Sequence, residues 1–346
     1  MEQRELGRTG RKVSVVGLGT WQLGADWGDV SEAAARAVLE ASAEEGVTFF
    51  DTADVYGDGR SEQRVGRFLA AHPGEGIVVA TKMGRRAEQV PEHYVLDNFR
   101  EWTDRSRRNL GVDRLDLVQL HCPPTAVVTD DATYDALDTL VEDGAIAAYG
   151  LSVETVDQAL AAIARPHVAS IQIILNAFRL KPLERVLPAA AEAGVGIIAR
   201  VPLASGLLSG RYDASTTFAK DDHRSDNRDG SAFDVGETFS GVDYETGVAA
   251  AGEFTALVSR AAPAGLTPAQ AAIARPHVAS IQIILNAFRL KPLERVLPAA
   301  LEASGTRAMM PTPASSPASR AGRDMVGSRV RDRLTSSSTT VRTATA

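Results

Sequence analysis

Residues 47–56 read Val-Thr-Phe-Phe-Asp-Thr-Ala-Asp-Val-Tyr. Val47–Phe50 is a short run of β-branched and aromatic residues, the composition of a buried strand. The run ends on Asp51, and a carboxylate at the end of an apolar strand is costly unless it has a partner or a task. Tyr56 follows five positions later, then the turn cluster Gly57-Asp58-Gly59. Two further apolar runs end in the same manner: Ile77–Ala80 leads to Lys82, and Leu115–Leu120 leads to His121. Lys82 and His121 are therefore the expected partners of Asp51.

The same alternation runs along the chain. Residues 1–14 read as a small hairpin around Gly7 and Thr9-Gly10, and Val15–Thr20 as a first buried strand. Ser31 is placed to N-cap a helix through about Gly46, with Ala34, Val38, Leu39 and Ala41 on its apolar face. Further helices are expected from Ser61 to about His72, and over about Glu92–Leu110, Ala132–Glu142, Thr155–Ala164 and Leu183–Ala193. Further strands are expected at Ile146–Leu151, which delivers Ser152, and at Ala169–Leu175 and Val195–Val201. Seven strand–helix alternations with short connections imply a parallel sheet with helices outside. The natural closed form is a (β/α)8 TIM barrel, in which functional residues sit where strands end. The competing open doubly wound sheet calls for a glycine-rich phosphate turn after strand one, and Gly17-x-Gly19-x-x-x-x-Gly24 matches it poorly. Residues 202–246 read as a long loop, in which Phe218, Phe233 and Phe239 either cover a pocket or pack locally.

The chain of 346 residues is 44% hydrophobic and 23% charged, enough for one large α/β domain or two small ones. No run approaches the roughly 18 apolar residues of a membrane span. The start, Met1-Glu2-Gln3-Arg4-Glu5, lacks the apolar core of a secretory signal. A single cysteine, Cys122, excludes an internal disulfide. These features point to a cytoplasmic protein with no membrane partner. The net charge is −7, but residues 306–346 carry seven Arg and two Asp, so the remainder is near −12. An acidic body argues against nucleic acid as the partner.

Residues 161–190 and 271–300 are the same 30-residue string at an offset of 110. Evolved structural repeats drift apart and recur with a regular period. One identical copy at one offset points instead to a recent duplication or a joined sequence. The copy offers a strand at Ala279–Leu285 and a helix at Leu293–Ala303, where an eighth βα unit is needed, so it is expected to close the barrel. Residues 1–304 would then form the barrel. Residues 305–346, rich in Ser, Thr, Ala and Arg, would form a disordered tail.

The chemistry is legible in four side chains. A tyrosine acts as a general acid only if its pKa, about 10 unperturbed, comes down toward the working pH. A nearby ammonium does this by stabilising the phenolate, and Lys82 can be that group. Asp51 can hold Lys82 charged and oriented, and His121 can donate a hydrogen bond to a carbonyl oxygen. Together they polarise and protonate a carbonyl, and a nicotinamide hydride would complete the reduction. Cys122 adjoins His121, but neighbours on a strand point to opposite faces, so it reads as packing or pocket wall. Trp27 and Trp102 read as packing, with a substrate role left open for Trp27 on the first strand–helix loop. His72, His93 and His223 fall in surface contexts. His167 and its copy His277 follow Pro in a loop, without metal-ligand spacing.

The sequence resembles the aldo-keto reductase family. The matching pieces are Gly17-Leu-Gly-Thr-Trp21, Phe50-Asp-Thr-Ala-Asp-Val-Tyr-Gly57 followed by Ser61-Glu62, Ala80-Thr-Lys82, Leu115-Asp-Leu-Val-Gln-Leu-His121, Tyr149-Gly-Leu-Ser152 and Pro202-Leu-Ala-Ser-Gly-Leu-Leu-Ser-Gly210. They occur in family order over about residues 4–260. The resemblance implies a (β/α)8 barrel that binds NADP(H) and reduces a small-molecule aldehyde or ketone. It implies Tyr56 as general acid, Lys82 and Asp51 tuning it, and His121 orienting the carbonyl. It also places Thr20, Trp21 and Asp51 near the nicotinamide or substrate, Ser152 and Gln172 on the carboxamide, and Pro202, Leu203, Ser205 and Gly206 along the pyrophosphate. Family members usually carry an aromatic at the end of strand seven that stacks on the nicotinamide. This chain has Arg200 there, able to stack but charged against an oxidised ring. The copied segment and tail replace the family's adenosine 2′-phosphate segment, with Arg289 and Lys291 the nearest cations.

Two other readings stay open on the residues. Lys82 alone also suits the Schiff-base lysine of a barrel aldolase, and a barrel that fails to bind cofactor would be a binding module. The joint set Asp51, Tyr56, Lys82 and His121 favours the reductase.

Overall fold

The hairpin expected at the start of the chain is formed by β1 (Gln3–Glu5) and β2 (Lys12–Ser14), which pair antiparallel in a computed structural model. The structure describes residues 1–24, 30–218, 220, 222–226, 243–273 and 280–284. Eight parallel strands follow: β3 (Val16–Gly19), β4 (Phe49–Asp51), β5 (Val78–Met83), β6 (Leu117–His121), β7 (Tyr149–Val153), β8 (Val168–Ile174), β9 (Gly196–Arg200) and β10 (Ser280–Ile284). They close in the order β10-β3-β4-β5-β6-β7-β8-β9, the TIM barrel that the alternation predicted.

The main helices are α1 (Glu32–Glu44), α2 (Arg60–Ala71), α3 (Leu96–Leu110), α5 (Asp131–Glu142), α6 (Val156–Ile163) and α7 (Lys181–Ala193), with a short α4 (Thr125–Thr129) before α5. Their ends carry the signals expected of them. Ser31 caps α1, its side chain accepting from the Ala34 amide at 3.2 Å. Thr155 and Gln158 form a reciprocal capping box on α6. Gly111 and Gly194 end α3 and α7 in left-handed conformations that a side chain would strain.

Apolar packing occupies two shells. The larger lies between helices and sheet, with Val38, Phe68, Phe99 and Leu140 packed onto outward-facing residues such as Val79, Val118 and Leu151. The smaller fills the barrel interior with Phe49, Val78, Ala80, Leu117 and Ile198, and the hairpin inserts Leu6 and Val13 beneath them. The hairpin docks closely, since a Cβ on Gly7 would lie 2.0 Å from the Gly196 nitrogen. The strands carry inward positions upward from this plug by steps of two. Phe49 is followed by Asp51, Ala80 by Lys82, Gln119 by His121, and Ile198 by Arg200. The register links them around the barrel, with Lys82 opposite Gln119, His121 opposite Ser152, and Ser152 opposite Gln172.

Four strands sit closer to the site than expected. Those predicted to end at Phe50, Ala80, Leu120 and Leu151 end at Asp51, Met83, His121 and Val153. A reading by apolar runs stops where polarity begins, yet an inward polar side chain leaves the backbone ladder intact. Within residues 202–246 the structure has a 3-10 turn at Ala204–Ser209, a short α8 (His223–Asp226) and the start of α9 (Tyr244–Ala261); α10 (Pro268–Ile273) follows. These helices were not anticipated. They pack Tyr244, Ala251 and Ala272 on Ala204, Leu207 and Leu208. Phe218 belongs to this cluster, at 5.3 Å from the Tyr212 ring and 6.0 Å from that of Tyr244. Trp27, Phe233, Phe239, Arg289, Lys291, the helix expected at Leu293–Ala303 and the expected tail lie outside the described residues.

The eighth strand comes from the duplicated string. Ile281–Ile284 pair with Val16–Gly19 of β3, and Ser280 and Ile281 with Ile198 and Ala199 of β9. The same five residues in the first copy, Ser170–Ile174, pair with β9 at a different register, Ser170 opposite Gly196. One sequence thus serves two strand positions, which quasi-equivalent barrel strands permit. A proline has no amide to donate to a ladder, so Gln282→Pro should lower the thermal midpoint by about 4 °C or more. Differential scanning calorimetry checks this, and an unchanged midpoint would show that β10 contributes nothing to closure.

Candidate active site

Asp51 and Lys82 meet inside the upper barrel, with 0% and 1% of their side chains exposed. The Lys82 ammonium donates to Asp51 Oδ1 and, at 2.8 Å, to the Thr52 carbonyl. Asp51 Oδ2 accepts from Gln172 Nε2 at 2.7 Å and from Gln119 Nε2 at 3.4 Å. The carboxylate thus has partners on three other strands, β5, β6 and β8. Burial pushes the Lys82 pKa below its ordinary value, and the Asp51 charge opposes that shift. Thr20 braces the pair from behind, its hydroxyl and amide each 2.9 Å from the Asp51 carbonyl oxygen. The Ser61 hydroxyl ties Thr20 to Thr52, at 2.8 and 2.9 Å from their side-chain oxygens.

Tyr56 stands above this pair, half-buried, with Lys82 Nζ 5.3 Å from its ring centroid. Trp21 stacks on Tyr56 at 6.0 Å, and His121 meets it edge-on at 5.9 Å and 85°. The following residue fixes the tyrosine loop. Gly57 has a φ of 59°, and a Cβ there would lie 2.1 Å from the Gly24 carbonyl oxygen. Burial drives the His121 pKa well below its ordinary value, and Lys82, Arg85 and Arg200 add to the shift, so the imidazole is neutral at neutral pH. His121 Nδ1 is buried without a hydrogen-bond partner. The structure therefore brings Asp51, Tyr56, Lys82 and His121 together.

The wall on the β7–β9 side is polar. Ser152 donates to Gln172 Oε1 at 3.2 Å, so Gln172 links Ser152 to Asp51. Arg200 ends β9 and pairs with Glu154, Nη2 to Oε1 at 2.5 Å. Above it, Val201–Gly206 turns sharply, with Val201, Ala204 and Ser205 at φ of 54°, 47° and 55°. Pro202 is buried, and Leu203, Ser205 and Gly206 are partly exposed. Asn176 holds this turn through the Val201 carbonyl at 3.0 Å. Arg179 follows on the same loop, and its Nη1 is buried without a hydrogen-bond partner.

Cys122, expected as packing or pocket wall, is pocket wall, but not by strand alternation: its φ of 51° breaks the alternation that would have turned it to the face opposite His121. Its thiol turns into the site, 3.0 Å from Glu154 Oε1 and 3.7 Å from Ser152 Oγ. The sequence reading also missed Gln119, Glu154 and Arg179. Gln119 and Glu154 carried a usable signal, each two positions from a candidate on its own strand line. Arg179 carried none, because its position depends on a turn.

A further buried carboxylate lies below the tyrosine loop. Asp54 is 1% exposed, and both its oxygens lack a hydrogen-bond partner. Burial raises its pKa from 3.8 to about 7, with Glu62 adding to the shift and Arg86 and Arg105 opposing it. Among the described residues, no group of three or more His, Cys, Asp or Glu is placed to hold a metal ion, and no helix is long and apolar enough to cross a membrane.

Comparison with known proteins gives a consistent picture. The family model described as "Aldo/keto reductase family" matches residues 15–304. Aldo-keto reductase YhdN of Bacillus subtilis (strain 168) is 31% identical over 230 residues, covering 65% of this chain and 69% of the relative. A D-threo-aldose 1-dehydrogenase of a Pseudomonas species is 33% identical over 240 residues, covering 59% of this chain and 72% of the relative. Among solved structures, aldo-keto reductase AKR11C1 from Bacillus halodurans in its holo form superposes with a TM-score of 0.67 at 25% identity, covering 88% of this chain and 94% of the other. The chain spans about two thirds of the length of the curated relatives it matches.

Asp54 sets a pH dependence. Its folded pKa lies above the unfolded value, so its contribution to stability is full below about pH 3.8 and is lost as pH rises to about 7. Asp54→Asn removes the titration. Its thermal midpoint relative to the unaltered protein should therefore climb between those values and level off above. A difference that stays flat from pH 4 to pH 8 would contradict the assignment.

Proposed function

The chain belongs to the aldo/keto reductase family, and we propose that it reduces a small aldehyde or ketone to the alcohol with NADP(H). The observation that carries this reading is the buried Lys82–Asp51 pair directly beneath Tyr56, with neutral His121 against the edge of the same ring. A bound nicotinamide would supply a hydride to the carbonyl carbon.

The chain's own residues supply the rest. A carbonyl oxygen between the Tyr56 and His121 rings meets a phenol O–H and an imidazole N–H. His121, held neutral by burial, orients that oxygen as a hydrogen-bond donor and keeps its proton. Tyr56 gives its proton to the same oxygen as the carbon accepts hydride. The Lys82 ammonium then stabilises the phenolate left behind, and Asp51 keeps Lys82 charged despite its burial. Trp21, stacked on the Tyr56 ring at 6.0 Å, helps hold that ring in place. Lys82 directs donors to Asp51 and to the Thr52 carbonyl, which suits a fixed ammonium better than a Schiff-base nucleophile.

The polar wall fits the cofactor. A hydroxyl at Ser152 and an amide at Gln172, on adjacent strand ends, suit a carboxamide. The left-handed turn through Ser205 and Gly206 presents backbone at the barrel mouth, as a pyrophosphate requires. The orphaned Arg179 Nη1 is an open donor suited to an anionic group. Arg200 offers a planar face in place of an aromatic ring. The preference for the phosphorylated dinucleotide and a cytoplasmic location rest on the family resemblance and composition.

The assay is NADPH oxidation with a panel of aldehydes and aldoses, the latter because the Pseudomonas relative is named for one. A lost general acid typically removes about 10²–10⁴-fold of rate. Tyr56→Phe should lower kcat by that order while leaving the dissociation constant for NADPH nearly unchanged. Full turnover by Tyr56→Phe would defeat the assigned proton donor, and absence of NADPH binding would defeat the cofactor.

A further inference from the structure

Arg200 does not stand alone in the wall. Its side chain is 8% exposed, and that of Glu154, its partner at 2.5 Å, is 22% exposed. Glu154 Oε1 also accepts the Cys122 thiol at 3.0 Å, and Arg200 Nη2 reaches the Val153 carbonyl at 3.5 Å. Burial opposes ionisation of Glu154, but Arg200, Cys122 and Arg179 outweigh it and hold its pKa below the ordinary value. Glu154 is therefore a carboxylate at neutral pH, fixed by two donors.

The proton donors limit where a hydride donor can lie. Trp21 covers one side of Tyr56, and His121 stands at its edge. Next to His121 the wall continues through Cys122, whose thiol is 3.7 Å from Ser152 Oγ and 3.8 Å from Arg200 Nη2, and through Ser152 to Gln172 at 3.2 Å. A planar ring that reaches a carbonyl carbon held by Tyr56 and His121 lies against that wall, beside Arg200. Oxidation makes the nicotinamide ring cationic, and an uncompensated guanidinium would repel it. A carboxylate locked onto that guanidinium cancels most of the field.

We propose that Glu154 is a positioning residue that neutralises Arg200 at the nicotinamide, so that the oxidised and reduced cofactor bind on comparable terms. This rests on the cofactor reading above. It assigns Glu154, outside all the matched motifs, a role in the reversibility of the reaction. The two single substitutions should have opposite signs. Glu154→Gln leaves a bare cation and should disfavour NADP⁺. Arg200→Met leaves a bare carboxylate and should favour it.

The test is the ratio of the dissociation constants of NADP⁺ and NADPH, measured by calorimetric titration of the full chain. Glu154→Gln should raise that ratio about tenfold, and Arg200→Met should lower it in the opposite sense. The double substitution should return the ratio to within about twofold of the starting value. A structural role alone would weaken both forms equally, so an unchanged ratio in both single variants overturns the proposal, as does a double variant that keeps the shift. Should Glu154→Gln fail to fold, the sign of the change in Arg200→Met decides. If the unaltered protein binds neither form, the cofactor reading itself has failed and takes this proposal with it.

Discussion

The barrel top is organised by one constraint: an ammonium and a carboxylate are held together where water does not reach. Breaking such a pair by removing one partner typically leaves about 3–5 kcal/mol of uncompensated charge. Asp51 and Lys82 meet this constraint by drawing on most of the barrel. Gln119 and Gln172 supply the remaining carboxylate contacts, Ser152 fixes Gln172, and Thr20 and Ser61 fix the backbone that carries Asp51. Tyr56 and His121 then sit on a floor that is already rigid. The site is the upper end of a continuous column of side chains, apolar below and polar above, whose inward steps are set by strand geometry.

Much of this was legible in the sequence. The apolar runs ending in Asp51, Lys82, His121 and Ser152 pointed both to the barrel and to the end where these side chains gather, because a strand's last inward residue is the one that can be polar. The loop-borne parts were harder to read. Cys122 lines the wall although alternation would turn it away, because alternation assumes extended backbone and a single positive φ reverses it. The pairing of Glu154 with Arg200 joins two strands 46 residues apart in sequence, and no local pattern announces it. The α9 and α10 helices escaped a reading tuned to strand–helix alternation because no strand separates them.

The duplicated string shows how permissive the barrel wall is. Ser-Ile-Gln-Ile-Ile forms β8 through its first copy and β10 through its second, with different neighbours and a different register. Alternating β-branched residues suit any wall position whose outer face is covered by helices. The candidate-site positions are far less interchangeable, because each depends on a particular partner across the barrel.

The hairpin plug has a further consequence. Among the described residues, Leu6 and Val13 fill the base of the barrel, so the candidate site opens at the opposite rim, as in a cup. Whatever enters or leaves such a vessel passes the brim, beside the turn at Val201–Gly206 and the tyrosine loop.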